Sequence, residues 1–64
     1  MKYDIYRGSE KDMKESAGIL TLKKCDKTQV RQFAVRHGVS LERFLDGDYL
    51  ADNNGVGFWL EEAM

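Results

Sequence analysis

The stretch C25-D-K-T-Q-V-R-Q-F-A-V-R-H-G-V-S-L-E-R-F-L-D-G47 decides the fold of this 64-residue chain. Asp26 reads as a helix N-cap, and Gln29 three residues on completes a reciprocal capping pair. Val30, Phe33, Ala34 and His37 then recur at i, i+3, i+4 and i+7, which places them on one helical face. Gly38 supplies the left-handed stop. Ser40 caps a second, shorter helix whose buried stripe is Leu41, Phe44 and Leu45, and Gly47 ends it. The spacing therefore predicts helices over 26–37 and 40–46, joined by a glycine turn.

Upstream, Lys2 to Arg7 alternates apolar and polar positions, the period of a half-buried strand. Gly8 ends that strand. Ser9 with Asp12 offers a capping box for two helical turns over Ser9–Ala17. Only Met13 and Ala17 furnish that helix with a buried face, so a mobile loop is the alternative. Ile19-Leu20-Thr21-Leu22-Lys23 is a second strand, rich in branched residues.

Downstream, Asp48–Asp52 and Val56–Glu62 flank Asn53-Asn54-Gly55. Asn-Gly favours a two-residue type I′ turn, because both central positions need positive φ. That register pairs Asn53 with Val56, Ala51 with Phe58 and Tyr49 with Leu60, on the face expected to meet the helices. Leu50 then faces Trp59 on the outer side, ringed by Asp48, Asp52 and Glu61. A slip of one residue would bury Trp59 instead. The expected architecture is a single α+β domain over residues 1–64. It has a small, mainly antiparallel sheet, two consecutive helices and a C-terminal β-hairpin.

A hydrophobic fraction of 42% and a charged fraction of 33% are ordinary for a globular chain. One cysteine excludes an intramolecular disulfide and suits a reducing compartment. Charges run through residues 1–20, leaving no apolar stretch for a signal peptide or membrane span, so a cytoplasmic location is expected. The net charge of −1 conceals an asymmetry. Residues 1–22 balance at zero, residues 23–43 carry +4, and residues 44–64 carry −5 with no basic side chain. Such a molecule meets charged partners in a preferred orientation. Whether it is a monomer or a homodimer stays open at this stage.

No catalytic constellation emerges. Cys25 and His37, the only thiol and the only imidazole, lie twelve positions apart near opposite ends of one helix. That is roughly 18 Å along the axis, too far for a dyad. His37 falls on the apolar stripe, where a packed or capping role is expected. Cys25 reads as a small hydrophobe, although Lys24 and the adjacent helix N-terminus are features that lower a thiol pKa. Asp46-Gly47-Asp48 departs from a calcium loop at Leu50 and Gly57, and one His with one Cys cannot make a zinc site. No enzymatic activity, cofactor or metal is expected.

Phe33 to Ser40, F-A-V-R-H-G-V-S, resembles the centre of a helix-turn-helix motif, with Phe44 where the second helix packs back. With a strand before and a hairpin after, the order also resembles a winged-helix domain. The resemblance implies a DNA-binding regulator in which Lys27, Arg31, Arg36 and Arg43 meet phosphates. Two features oppose it: the second helix offers only Arg43 as a base, and the hairpin is acidic. The leading expectation is instead a small non-enzymatic protein–protein interaction module. Its partner site would be Leu50, Trp59, Asp48, Asp52 and Glu61, an aromatic anchor with a carboxylate rim suited to a basic protein surface. An inhibitor of a nucleic-acid-handling protein, of the sort that mobile genetic elements use, fits that description.

Overall fold

The computed structural model describes residues 1–63. Strand β1 (Lys2–Arg7) leads through helix α1 (Glu10–Lys14) into β2 (Ile19–Cys25). Helices α2 (Lys27–His37) and α3 (Leu41–Leu45) follow, then β3 (Leu50–Ala51) and β4 (Gly57–Ala63). The strands form one antiparallel sheet in the order β2-β1-β4-β3, so β1 and β4 are central and β2 and β3 are edges. The α+β architecture read from the sequence is the one observed. Among the described residues, no helix is long and apolar enough to cross a membrane.

The helix boundaries follow the capping chemistry. Asp26 Oδ1 accepts from the Gln29 N–H at 2.9 Å, and Gln29 Oε1 accepts from the Asp26 N–H at 2.9 Å. Gly38 takes φ 68° and ends α2, where a side chain would be strained. Ser9 and Asp12 form the same reciprocal box at the start of α1, so part of the segment weighed as helix or loop is helical.

Val30, Phe33 and Ala34 of α2 and Phe44 of α3 pack on one sheet face against Ile5, Phe58, Leu60 and Leu50, with Cys25 closing the cluster. Ring stacking runs through this core: Phe33 lies 5.8 Å from Phe44 and meets Phe58 edge-on at 5.0 Å. Such aromatic pairs add to the area they bury.

The hairpin register differs from the expected one. Leu50 pairs with Phe58 and Ala51 with Gly57, a shift of one residue. The loop has three residues, 53–55, rather than two, because Asp52 organises it. The Asp52 carbonyl accepts from Gly55 N at 3.0 Å, while its Oδ1 accepts from Asn54 N at 2.9 Å and Val56 N at 3.0 Å. Of Asn54 and Gly55, only Gly55 has positive φ, so the type I′ geometry is not used. The shift brings Leu50 to the helix side beside Phe58 and puts Tyr49 and Ala51 elsewhere. Leu50 therefore does not face Trp59.

Trp59 does point to the opposite side of the sheet from Phe58 and Leu60, as alternation requires. It is nonetheless only 2% exposed. The connection between β1 and β2 lies over it: a Cβ on Gly18 would collide with the Trp59 ring, and one on Gly8 would stand 3.3 Å from Cη2. Tyr6 stacks on the indole at 5.9 Å, and Tyr49 flanks it at 6.1 Å. The Tyr49 hydroxyl donates to the Gly8 carbonyl at 2.7 Å, tying the two segments together. The centre of the sheet is thus covered on both faces.

Candidate interaction surface

The proposed aromatic anchor is absent from the surface. Leu50 and Trp59 are both buried, so the patch of Leu50, Trp59, Asp48, Asp52 and Glu61 does not exist as a docking surface. Its acids serve the fold instead. Asp52 holds the hairpin loop, and its Oδ2 lies 3.4 Å from His37 Nδ1. Asp48 pairs with the Arg43 guanidinium at 3.1 Å, and Glu61 accepts from Trp59 Nε1 at 3.2 Å. The two loop N–H groups, with His37 adding to them, hold the Asp52 carboxyl below its usual range against the opposing pull of burial.

The basic residues are not gathered on one face. Lys27 and Arg31 line a cleft of about 400 Å³ between α2 and α3 with Thr28 and Leu41. Arg36 borders a different cleft, next to Leu22, Gln29 and Gln32. Arg43 is held by Asp48. The second helix of the pair has five residues, and its exposed side chains include Glu42 as well as Arg43. That is a short and electrically balanced surface to present to a major groove.

His37 is packed, as its place on the stripe suggests. Its ring lies 4.2 Å from Phe33 and 4.8 Å from Phe58. Cys25 is buried in the core, and burial, with Asp4 and Asp26 nearby, pushes its thiol pKa up rather than down. The opposing cation is Lys2, not Lys24, and the lowering expected from Lys24 and the helix terminus is not what governs this thiol.

What the structure does expose is β2. Every residue of this seven-residue strand except Cys25 is exposed. Ile19 is 59%, Leu20 45% and Leu22 41% accessible, although all three belong to a sheet. The cause is positional. Helix α2 packs across β1 and β2 and α3 packs over β4, while the loop over Trp59 covers the centre of the other face, so the outer side of the β2 edge is left uncovered. Its outer rim of backbone N–H and C=O groups has no strand beside it.

Beside β2 runs a groove in two parts that share Phe33. One, of about 320 Å³, is lined by Arg7, Ile19, Leu20, Phe33, His37 and Phe58. The other, of about 130 Å³, is lined by Leu22, Gln29, Gln32, Phe33 and Arg36. The floor is apolar and the charged walls are cationic, with Lys23 and Lys24 continuing the strand. Sequence reading identified Ile19–Lys23 as a strand but not as a surface. The available signal was three apolar residues in four positions without a polar alternation, which marks a strand meeting apolar groups on both sides. Comparison of this chain with known protein families, curated proteins and solved structures finds no match.

Proposed function

We propose that this chain is a small non-enzymatic protein–protein interaction module that receives an extended segment along β2. The observation that supports it is the exposure of Ile19, Leu20 and Leu22 on a free sheet edge beside an apolar groove. Strand addition supplies main-chain hydrogen bonds, and alternate side chains of the added strand fill the groove. Arg7, Arg36 and Lys23 favour a segment that mixes apolar residues with carboxylates. The acidic final third, which exposes Asp46, Asp48, Glu61 and Glu62, supports the finer reading of an inhibitor. Those carboxylates would occupy the basic surface of a nucleic-acid-handling protein as phosphate does. A buried free thiol suits action in the cytoplasm.

The test is a selection of displayed extended peptides against the purified chain, repeated with Leu20→Lys/Leu22→Lys. Binders enriched in apolar and acidic residues, lost on the double variant, support the reading. Binders indifferent to that variant overturn it. A second reading, a helix-turn-helix-like DNA regulator, draws on the Lys27 and Arg31 cleft alone. Anisotropy of generic duplex DNA that rises with protein and collapses with salt would favour it over the first.

A further inference from the structure

We infer that the strand received at β2 is β2 of a second copy, antiparallel about a two-fold axis near Leu20 and Thr21. The inference rests on the reading of β2 as a docking edge and names its occupant. Two four-stranded sheets would join there into one continuous sheet.

Four features favour the second copy. Ile19–Leu22 carries no charge, and antiparallel pairing about Leu20–Thr21 sets Ile19 of each copy opposite Leu22 of the other. Cross-strand pairs of branched residues are the stabilising unit of such a ladder. The exposed apolar surface thus complements itself.

Charge favours the same geometry. Lys23 and Lys24 follow the apolar run directly. Parallel pairing would bring the lysines of two copies together, whereas antiparallel pairing sends them to opposite ends. There Lys23 and Lys24 stand opposite Gly18 and Ala17 of the other copy, the uncharged residues that lead into its β2.

The contact also closes. The opposite edge, β3, has two residues, too short to template another copy, so pairing through β2 ends at a dimer rather than a filament. The ladder is bounded at its C-terminal end as well. Of the two register shifts in the β1–β2 pairing, one falls between Leu22 and Cys25, where Lys24 has φ 52° and gives its N–H to Asp4 Oδ1 at 2.8 Å. The other falls at Thr21, on the two-fold itself, and sets Ile19 and Leu22 on the same face, opposite Arg7 and Ile5 of β1. The bulge at Lys24 and the lysines stop pairing beyond Leu22.

Finally, a sheet extended in its own plane about a perpendicular two-fold keeps both helical layers on one face. The groove beside α2 then gains a wall from the second copy. For a chain near the lower size limit of a self-supporting core, that added burial is a direct source of stability.

The experiment is sedimentation equilibrium of the full chain from micromolar to millimolar concentration, for the wild type, Leu20→Lys/Leu22→Lys and Val35→Lys. Val35 is exposed on α2 and lines neither part of the groove. The wild type and Val35→Lys should pass from monomer to dimer mass. The double variant should raise the dissociation constant about tenfold or more, with an unchanged far-UV spectrum. If the double variant does not fold, Ile19→Glu at the exposed start of β2 takes its place with the same expectation. A wild type that is monomeric throughout, a dimer undiminished by the β2 variants, or assembly beyond a dimer each overturns the inference. A monomeric wild type that still binds displayed peptides through β2 removes the second copy alone. Loss of that peptide dependence removes the docking edge itself.

Discussion

Phe58 and Trp59 are neighbours on β4, point to opposite faces of the sheet, and are equally hidden from water. They are hidden by different means. Phe58 lies under large side chains from two capped helices, in a cluster that includes Val30, Phe33 and Phe44. Trp59 lies under main chain, where Gly8 and Gly18 let a loop approach the indole and Tyr6 and Tyr49 flank it. The first kind of cover is built from apolar side chains and can be read from their spacing. The second is built from the absence of side chains and is a fit of shape.

The helix side should carry the larger energy. Phe44 is fully buried, and Phe44→Ala removes a ring from the contact between α3 and the sheet. Such a truncation costs about 3–5 kcal/mol, comparable with the whole stability of a domain this small. Urea unfolding followed by circular dichroism should show loss of the cooperative transition. A variant that unfolds cooperatively with only a slight loss would mean that the loop side dominates instead.

The loop side should fail locally and at lower cost. Gly18→Ala forces the 8–18 connection off the Trp59 ring, a local overpacking worth about 1–3 kcal/mol. Trp59 reports on it directly, being the only tryptophan. In the wild type its emission should be blue and shielded from iodide. In Gly18→Ala it should move to the red and become quenchable while the helical signal is retained. Unchanged emission would show that the loop accommodates the methyl group without exposing the indole.

The same contrast separates what was legible in the sequence from what was not. Asp26, Gln29, Gly38 and Ser40 act within a few residues of themselves, so the helix pair could be read in place. Strand alternation likewise placed Trp59 and Phe58 on opposite faces. It could not say that the outer face was covered, because that depends on where residues 8–18 return across the sheet. The hairpin register turned on a competition that propensity does not rank. Asn54-Gly55 invites a two-residue turn, but the Asp52 carboxylate reaching Asn54 N and Val56 N stabilises a three-residue loop. One residue of slip moved Leu50 into the core and dissolved the expected patch. The exposure of Ile19, Leu20 and Leu22 was hidden for the complementary reason. A branched strand reads as buried unless the order of strands in the sheet is known.

Asp52 joins the two regions, since it sets the hairpin loop that carries β4 and touches His37 at the end of α2. Its folded-state pKa is lowered, first by the Val56 N–H, then by the Asn54 N–H and His37, with burial opposing them. A depressed carboxyl contributes stability that is fully present above its unfolded value, near pH 4, and is lost as pH falls through the lower folded value. Asp52→Asn keeps an oxygen for the loop N–H groups but has no charge to lose. Its melting temperature should therefore lie below that of the wild type at neutral pH, with the gap narrowing as pH falls below about 4. Because every other carboxylate titrates in both proteins, the difference between the two curves isolates this one. A gap that stays constant down to pH 2 would mean that the loop recognises the shape of Asp52 and not its charge. The register, and with it the burial of Leu50, would then depend on hydrogen-bond geometry alone.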